Sequence, residues 1–127
     1  GVTSTDIVKH TATRFVQQQA AQTDRLRNIC AALVAERSFY PLDPCDDDVA
    51  LHTAQRARLA FPGYTPDVLV LPSDLRPFAY ELPLPGGGAC TCVNPRRLVA
   101  GVELGRFAHI VVDPSTRRVT RVASMQL

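Results

Sequence analysis

The feature that most constrains the fold is a run of strand and turn signals over residues 66–98. It opens with the short apolar segment Val68–Leu71, a pattern typical of a strand covered on both faces. A polar turn follows at once and reads Pro72-Ser73-Asp74-Leu75-Arg76. A second short strand, a glycine hairpin at Gly86–Gly88 and a third strand that stops at Asn94-Pro95 complete the run. Because the carboxyl ends of buried α/β strands face a crevice, we predict that any functional site includes the 72–76 turn.

Two helices are predicted upstream of this run. Ser4 or Thr5 can cap the first, whose weak inward face consists of Ile7, Val8, Thr11 and Phe15. Thr23 or Asp24 can cap the second, which we expect to pack against the sheet through Leu26, Ile29, Cys30 and Leu33. Residues 17–22, rich in glutamine and alanine, fit either a solvated extension of the first helix or a loop.

A third helix is predicted over Val49–Ala60, with a thin stripe of alanine side chains that implies close approach to a neighbour. Ahead of it, Asp46-Asp47-Asp48 resembles a helix cap or a solvated turn more than an ion-binding loop, because the alternating spacing of a calcium loop is absent. After the central run, Phe107–Val112 and residues 117–122 are expected to form a terminal antiparallel hairpin.

The charge balance argues against a nucleic-acid-binding surface. The chain has 14 basic and 12 acidic residues, a formal net charge of +2. Nucleic-acid-binding domains instead concentrate basic residues on one face. No run approaches the ~20 apolar residues of a membrane-spanning helix. We therefore expect neither a membrane partner nor strong direct binding of nucleic acid.

The cysteine and histidine residues do not predict a metal site. The four cysteines are expected to be free thiols, and the pair in Cys90-Thr91-Cys92 is expected to point to opposite faces of its strand. The histidines, His10, His52 and His109, are separated by more than forty residues and are expected to be ordinary surface or core side chains. Gly86–Gly88 lacks the Lys-Ser/Thr and the helix of a phosphate loop. No catalytic residue, cofactor-binding residue or metal ligand is predicted.

The order of motifs in the central run resembles the last third of calcineurin-like metallophosphoesterases. The shared pattern is an apolar strand, a four-residue turn, Pro-Phe-x-x-Glu, a hairpin and a strand ending in Val-Asn-Pro-x-x-Leu. In that family the turn reads Gly-His-x-His and its histidines bind metal, whereas here the turn positions are Pro72, Ser73, Asp74 and Leu75. The resemblance therefore implies a degenerate metal turn over residues 72–76, since neither proline nor leucine can replace an imidazole ligand.

A closer resemblance links most of the chain to the accessory (B) subunits of eukaryotic DNA polymerase alpha. The residues that carry it are the 70–76 turn, the strand end at 92–98, the opening segment 1–6 and Arg37-Ser38-Phe39-Tyr40-Pro41-Leu42. Two features depart from the family pattern. Arg96 stands where the family usually has glycine, and residues 82–88 form a longer hairpin than usual.

This resemblance implies a fold and a function. The fold is α/β, the C-terminal portion of a metallophosphoesterase-like α/β sandwich with helices first and mostly antiparallel strands afterwards. Residues 1–127 would then be the C-terminal segment of an inactive phosphoesterase-like domain that is itself incomplete. The implied role is that of a non-catalytic nuclear scaffold. It would bind the C-terminal domain of the catalytic subunit of DNA polymerase alpha, and indirectly primase, in the initiation of DNA replication.

Two alternatives belong to other functional classes. The first is a fragment of an active metal-dependent phosphoesterase or nuclease, which the lack of histidine at 72–75 disfavours. The second is an isolated nucleic-acid-binding module, which the balanced charge disfavours. At Asp74 and Arg76 two interpretations remain open: an exposed turn, or side chains that pair with each other or with upstream residues and fill the vacated site.

Overall fold

The structure, a computed structural model, describes residues 1–14, 24–98 and 105–126. Two α-helices come first, α1 (Ile7–Arg14) and α2 (Arg25–Ala35), and a 3₁₀ helix follows over Thr53–Leu59. Five strands complete the chain: β1 (Val68–Val70), β2 (Phe78–Pro83), β3 (Ala89–Asn94), β4 (Arg106–Val112) and β5 (Val119–Gln126). The predicted class, α/β with helices first and mostly antiparallel strands afterwards, is confirmed. Of the predicted residues, Phe15, the 17–22 segment and Thr23 lie outside the described ranges.

An aspartate side chain caps each of the two α-helices. Asp24 Oδ1 accepts the main-chain N–H of Leu26 at 3.0 Å, one of the two predicted caps of α2. At α1 the predicted caps are wrong: Asp6 Oδ1 accepts the N–H of Lys9 at 3.0 Å, so the helix begins later than Ser4 or Thr5 would require.

A three-stranded sheet in the order β1-β3-β2 forms the centre of the fold. β1 runs parallel to β3, and β2 runs antiparallel to β3 through the predicted glycine hairpin. Gly86, Gly87 and Gly88 all have positive φ angles, between 83° and 99°, which glycine adopts without a steric penalty. On the free side of β1, Val2 forms a parallel bridge with Val70, and the N–H of Thr3 donates to the carbonyl of Val70 at 3.2 Å. β1 is the last strand of the sheet, and residues 1–3 pair with its outer side, so its main chain has a neighbour on both sides, as predicted.

The core lies between one face of this sheet and the two α-helices. α1 contributes Ile7 and Val8, and α2 contributes Ile29, Cys30 and Leu33, all at most 1% exposed. The sheet contributes alternate residues, because side chains two positions apart on a strand share a face. On β1 and just beyond it these are Leu69 and Leu71, and on β3 they are Cys90, Cys92 and Asn94. The inward face predicted for α2 is confirmed.

Two sequence predictions about this sheet are wrong. Val68 and Val70 are only partly buried, because α1 and α2 cover one face of β1 and the other face is left partly open. The thiols of Cys90 and Cys92 do not point to opposite faces: both are fully buried and are hydrogen-bonded to each other. Residues i and i+2 of a strand share a face, so the prediction misapplied the strand repeat.

These thiols form a buried cluster with a third cysteine, Cys30 of α2, which is hydrogen-bonded to Cys92. Hydrogen bonding within the cluster and burial raise the pKa of both Cys90 and Cys92 well above the ordinary thiol value. All four cysteines are free. Cys90 and Cys92 are therefore neutral, protonated thiols at physiological pH.

The helix predicted over Val49–Ala60 is also wrong. Only the 3₁₀ helix of Thr53–Leu59 forms, and none of its residues is buried. The expected alanine stripe is exposed, so no neighbour covers it, and a helix without a packed face gains little stability. Main-chain hydrogen bonds near the end of this segment connect it to residues 37–39. The N–H of Phe39 donates to the carbonyl of Leu59, and the N–H of Phe61 donates to the carbonyl of Arg37, both at 2.7 Å.

Residues 46–49 form a turn in which the carbonyl of Asp46 accepts the N–H of Val49 at 3.0 Å. The solvated turn, one of the two interpretations of the aspartate triplet, is thus the observed one. At the end of the chain, β4 and β5 form the predicted antiparallel hairpin, with β5 longer than expected. In the described part of the chain, no helix has the length and the apolar character needed to cross a membrane.

Candidate functional site at the 72–76 turn

The side chain of Asn94 organises the turn between β1 and β2. It is 1% exposed and lies at the end of β3, beside the carboxyl end of the parallel strand β1. Its Oδ1 accepts the main-chain N–H groups of Ser73 and Arg96, each at 2.9 Å. Its Nδ2 donates to the carbonyls of Leu75 at 3.2 Å and Arg76 at 3.1 Å. One buried amide therefore satisfies two donors and two acceptors of irregular backbone that no strand could pair.

Ser73 faces inward and closes the turn from within. It is 2% exposed, and its Oγ accepts the N–H of Leu75 at 3.2 Å. This is a local side-chain to main-chain bond of the kind that stabilises serine turns. Its hydroxyl is therefore part of the turn's own structure and is not presented to solvent as a nucleophile would be.

Asp74 points outward and is surrounded by basic side chains. Arg97 approaches both carboxylate oxygens, with Nε to Oδ1 at 2.5 Å and Nη2 to Oδ2 at 2.8 Å, a bidentate arrangement. The ammonium of Lys9 lies 3.9 Å from Oδ2. The main-chain N–H of Asp74 also donates to Asp6 Oδ2 at 2.9 Å, which ties the turn to the residue just before α1.

Arg76 forms a second ion pair, with Asp24 at the cap of α2. The hydroxyl of Tyr80 donates to the same carboxylate oxygen at 2.5 Å, and Arg76 Nη2 lies 3.3 Å from the tyrosine oxygen. The hydrogen bond from Tyr80 lowers the pKa of Asp24, with further lowering by Arg76. Burial, together with the hydrogen bond to Asp24, raises the pKa of Tyr80 to about 12. At neutral pH this group is thus a carboxylate, a guanidinium and a neutral phenol.

The ion pairs of Asp74 and Arg76 bear on the two interpretations left open for these residues. Their ion pairs are made with other residues, not with each other: Asp74 pairs with Arg97 and Lys9, and Arg76 pairs with Asp24. Both residues contact partners upstream in the sequence and both are exposed, so the turn has a feature of each of the two interpretations. The downstream partner Arg97 was not predicted, because an ion pair across 23 residues leaves no periodic signal.

The backbone just after the strand end has a conformation that suits glycine better than arginine. Arg96 has a φ angle of 67°, in the left-handed region that glycine adopts without a steric penalty. The arginine is therefore in a strained conformation here. The hydrogen bond from its N–H to Asn94 Oδ1 helps to hold that conformation.

A polar cleft of about 430 Å³ lies beside the turn. Asp74 and Arg97 line it together with Asp6, Lys9 and residues 48–50. His10 also lines it, with Nε2 3.6 Å from Asp48 Oδ1 and Nδ1 3.4 Å from the Tyr40 hydroxyl. No pattern in the sequence indicates that His10 and the aspartate triplet are neighbours.

The donors at this turn do not suit a metal ion of the phosphoesterase type. The turn supplies one carboxylate, Asp74, whose oxygens are already engaged by Arg97, and it supplies no imidazole. Among the residues described, no group of three or more histidine, cysteine or acidic side chains has a geometry that could hold a metal. The arrangement ties β1, β3, α1 and α2 together at one edge of the sheet.

Comparison with known proteins gives one consistent result. The family of B subunits of DNA polymerases alpha and epsilon matches residues 1–80. The DNA polymerase alpha B subunit of Mus musculus is 33% identical over 110 residues, which is 87% of this chain and 18% of the mouse protein. The Drosophila melanogaster protein of the same name is 36% identical over 116 residues, 91% of this chain and 18% of the fly protein. That of Schizosaccharomyces pombe is 28% identical over 120 residues, 90% of this chain and 20% of the yeast protein. The chain thus spans about a fifth of the length of these relatives.

Proposed function

Because the chain belongs to the family of B subunits of DNA polymerases alpha and epsilon, we propose that it is part of a non-catalytic accessory subunit of DNA polymerase alpha. The proposed partner is the C-terminal domain of the catalytic subunit, through which the accessory subunit is connected to primase. The proposed location is the nucleus, and the proposed process is the initiation of DNA replication. The names of the relatives support the accessory role, and the family resemblance implies the particular partner.

One observation carries the non-catalytic part of this proposal. The 72–76 turn, which resembles the metal-binding turn of calcineurin-like phosphoesterases in its place in the motif order, is occupied by the ion pairs Asp74–Arg97 and Arg76–Asp24. The guanidinium of Arg97 engages both oxygens of Asp74, the only carboxylate in the turn, so neither oxygen is free to bind a divalent cation. We therefore propose that the turn is a degenerate metal site converted to structural use.

A phosphodiesterase assay with metal analysis tests this. The purified chain is equilibrated with manganese chloride, desalted, and tested for bound manganese and for hydrolysis of bis(p-nitrophenyl) phosphate. We expect manganese far below one ion per chain and no hydrolysis above the buffer rate. Asp74→Asn is the matched control, because it removes the carboxylate charge with little change in shape. Hydrolysis and one bound manganese per chain that both disappear in Asp74→Asn would overturn the proposal. Hydrolysis that persists in the variant would indicate a contaminating phosphatase.

We also propose that residues 1–127 are the C-terminal segment of a larger, inactive phosphoesterase-like domain. Support comes from the apolar surface that stays uncovered. Val68 and Val70 are only partly buried on the sheet face away from the helices, and Val2 and Leu98 at its borders are 71% and 58% exposed. A self-sufficient domain would bury such a face against another layer.

Sedimentation velocity tests the domain proposal. The 127-residue chain alone should self-associate or be only marginally stable, since the described residues leave Val68 and Val70 only partly covered and Val2 and Leu98 exposed. Co-expression with the remainder of the accessory subunit should give a more stable particle without that association. A compact and stable monomer of the chain alone would contradict the proposal.

A further inference from the structure

A groove with apolar walls and a positive charge runs between α2 and the β2–β3 hairpin. We call it the α2–β2 groove, and its volume is about 670 Å³. Ala31 and Val34 of α2 form one wall, Leu82 and Leu84 form the other, and Arg27 and Arg37 lie at the two ends. It differs in charge from the cleft beside the 72–76 turn, because none of the described residues that line it is acidic.

The two arginines have no carboxylate partner in the described part of the chain. Arg27 Nη2 donates to the carbonyl of Glu81 and Arg37 Nη2 to the carbonyl of Pro62, each at 3.3 Å. The ion pairs of the described residues involve neither of them. The nearest acidic residues along the chain, Glu36 and Glu81, do not line the groove. The two exposed guanidinium groups, one at each end of the α2–β2 groove, therefore keep most of their hydrogen-bond donors available.

The sheet edge beside the groove is also open. β2 is the edge strand of the order β1-β3-β2, so one side of its main chain has no strand partner in the described sheet. Arg27 donates a hydrogen bond to one main-chain carbonyl of β2, that of Glu81. Edge strands with unpaired main-chain groups are sites at which an extended peptide can add to a sheet.

We propose that the α2–β2 groove docks an extended, acidic segment of a partner protein. Apolar side chains of that segment would lie between α2 and the hairpin, and its carboxylates would pair with Arg27 and Arg37. Charge complementarity selects this occupant, since an apolar groove flanked by two unneutralised guanidinium groups favours carboxylates over neutral or basic segments.

The spacing of the arginines sets the spacing of the acidic residues. Arg27 lies in α2 and Arg37 lies two residues beyond the end of α2 at Ala35. At ~1.5 Å per residue, the helix from Arg27 to Ala35 alone separates them by roughly 12 Å. An extended peptide rises ~3.3 Å per residue. Its two acidic residues should therefore be about four or five positions apart, with apolar residues between them.

A display selection with defined variants tests the proposal. A phage library of random dodecapeptides is panned against the chain, and enriched peptides are synthesised with a fluorescent label and titrated by fluorescence polarisation. We expect enriched peptides to carry acidic residues about four or five positions apart. Their affinity should fall at least tenfold for the double variant Arg27→Glu/Arg37→Glu and less for Arg27→Lys/Arg37→Lys, which keeps the charge. Arg118→Glu, an exposed charge reversal in the β4–β5 turn, is the matched control and should leave the affinity unchanged.

Several outcomes would overturn the proposal. Selection of no peptide, selection of peptides without acidic residues, or equal binding to the charge-reversed and wild-type chains would each do so. Self-association of the wild-type chain that the charge-reversed variant abolishes would instead identify a second copy as the occupant. Circular dichroism spectra and urea midpoints show whether each variant folds like the wild type. If Arg27→Glu/Arg37→Glu does not fold, the affinity of Arg27→Lys/Arg37→Lys still tests the proposal.

Discussion

Replacing Asn94 with alanine should be the most damaging single change at the 72–76 turn. The side chain is 1% exposed and makes four hydrogen bonds to main-chain groups of Ser73, Leu75, Arg76 and Arg96. Alanine removes all four, and no other described side chain is placed to replace them. The ion pairs at the same turn are exposed, and such pairs contribute only ~0.2–1 kcal/mol each.

The magnitude follows from what each main-chain group loses. Ser73 is buried, so its N–H would be left without a partner at a cost of about 1–3 kcal/mol. The groups of Leu75, Arg76 and Arg96 are nearer to solvent, and each should lose a net ~0.5–1.5 kcal/mol. The variant should therefore lose about 3–6 kcal/mol of unfolding free energy, a large part of the roughly 5–15 kcal/mol typical of a domain.

Urea denaturation followed by circular dichroism measures this loss. Two further variants sharpen the interpretation. Ser124→Ala, which removes an exposed hydroxyl on β5, should change the midpoint little. Asn94→Asp keeps both acceptor bonds but loses the donor, so it should be destabilised at neutral pH. Its deficit should shrink as the pH falls toward about 4, because a protonated carboxyl can donate again. A loss below ~1 kcal/mol for Asn94→Ala would refute the idea that this amide holds the turn.

Three further predictions follow from the same structure. Leu69→Ala should cost about 2–5 kcal/mol in urea denaturation, because the side chain is 1% exposed, and a cost near zero would mean that β1 is not packed as described. Arg96→Gly should leave stability unchanged or raise it by up to ~1 kcal/mol, because glycine relieves the strain of a φ angle of 67°, and a clear loss of stability would contradict that. The phenol of Tyr80, followed by ultraviolet difference absorbance with Tyr80→Phe for assignment, should titrate near pH 12. Its pKa should fall in Asp24→Asn yet stay above 10, because burial is the larger cause of the shift, and an unchanged pKa in that variant would exclude the contact.

The same group makes a pH-dependent contribution whose sign can be worked out. The pKa of Asp24 is lower when folded than its ordinary value of 3.8, so its stabilising effect is fully present above that value and is lost as the pH falls through the folded-state pKa. The pKa of Tyr80 is higher when folded, so its contribution is present below pH 10 and is lost as the pH rises toward 12. Between these limits the contribution of the Asp24–Arg76–Tyr80 group should be independent of pH.

Features encoded by local pattern could be read from the sequence. The helix α2 follows from apolar residues at three- and four-residue spacing, and the β2–β3 hairpin follows from Gly86–Gly88. The same reasoning wrongly predicted an α-helix over residues 49–60. The alanines of that segment have helical spacing, but nothing in the described fold covers them. Periodicity indicates what a segment can form, whereas packing decides whether it does.

The contacts at the candidate site could not be read in this way. The sequence marked Asn94 as a strand end and Asp74 as a turn residue, but all their partners except Arg96 lie 18–23 or 65–68 positions away in the sequence. Such pairs form because β1 lies parallel to β3, which brings the end of one strand beside the turn after the other. Which residues form these pairs depends on the topology of the sheet, and no periodic pattern in a single sequence reveals that topology.

The measurement that tests the proposed role most directly is binding between the accessory subunit that contains this chain and the C-terminal domain of the catalytic subunit of DNA polymerase alpha. Isothermal titration calorimetry of the two purified proteins should give a saturable one-to-one complex. Asn94→Ala within the accessory subunit should weaken that complex, because the variant loosens the edge of the sheet that we expect to support the scaffold, whereas Ser124→Ala should not. Absence of any complex between the wild-type proteins, under conditions in which both are folded, would contradict the scaffold function proposed for this chain.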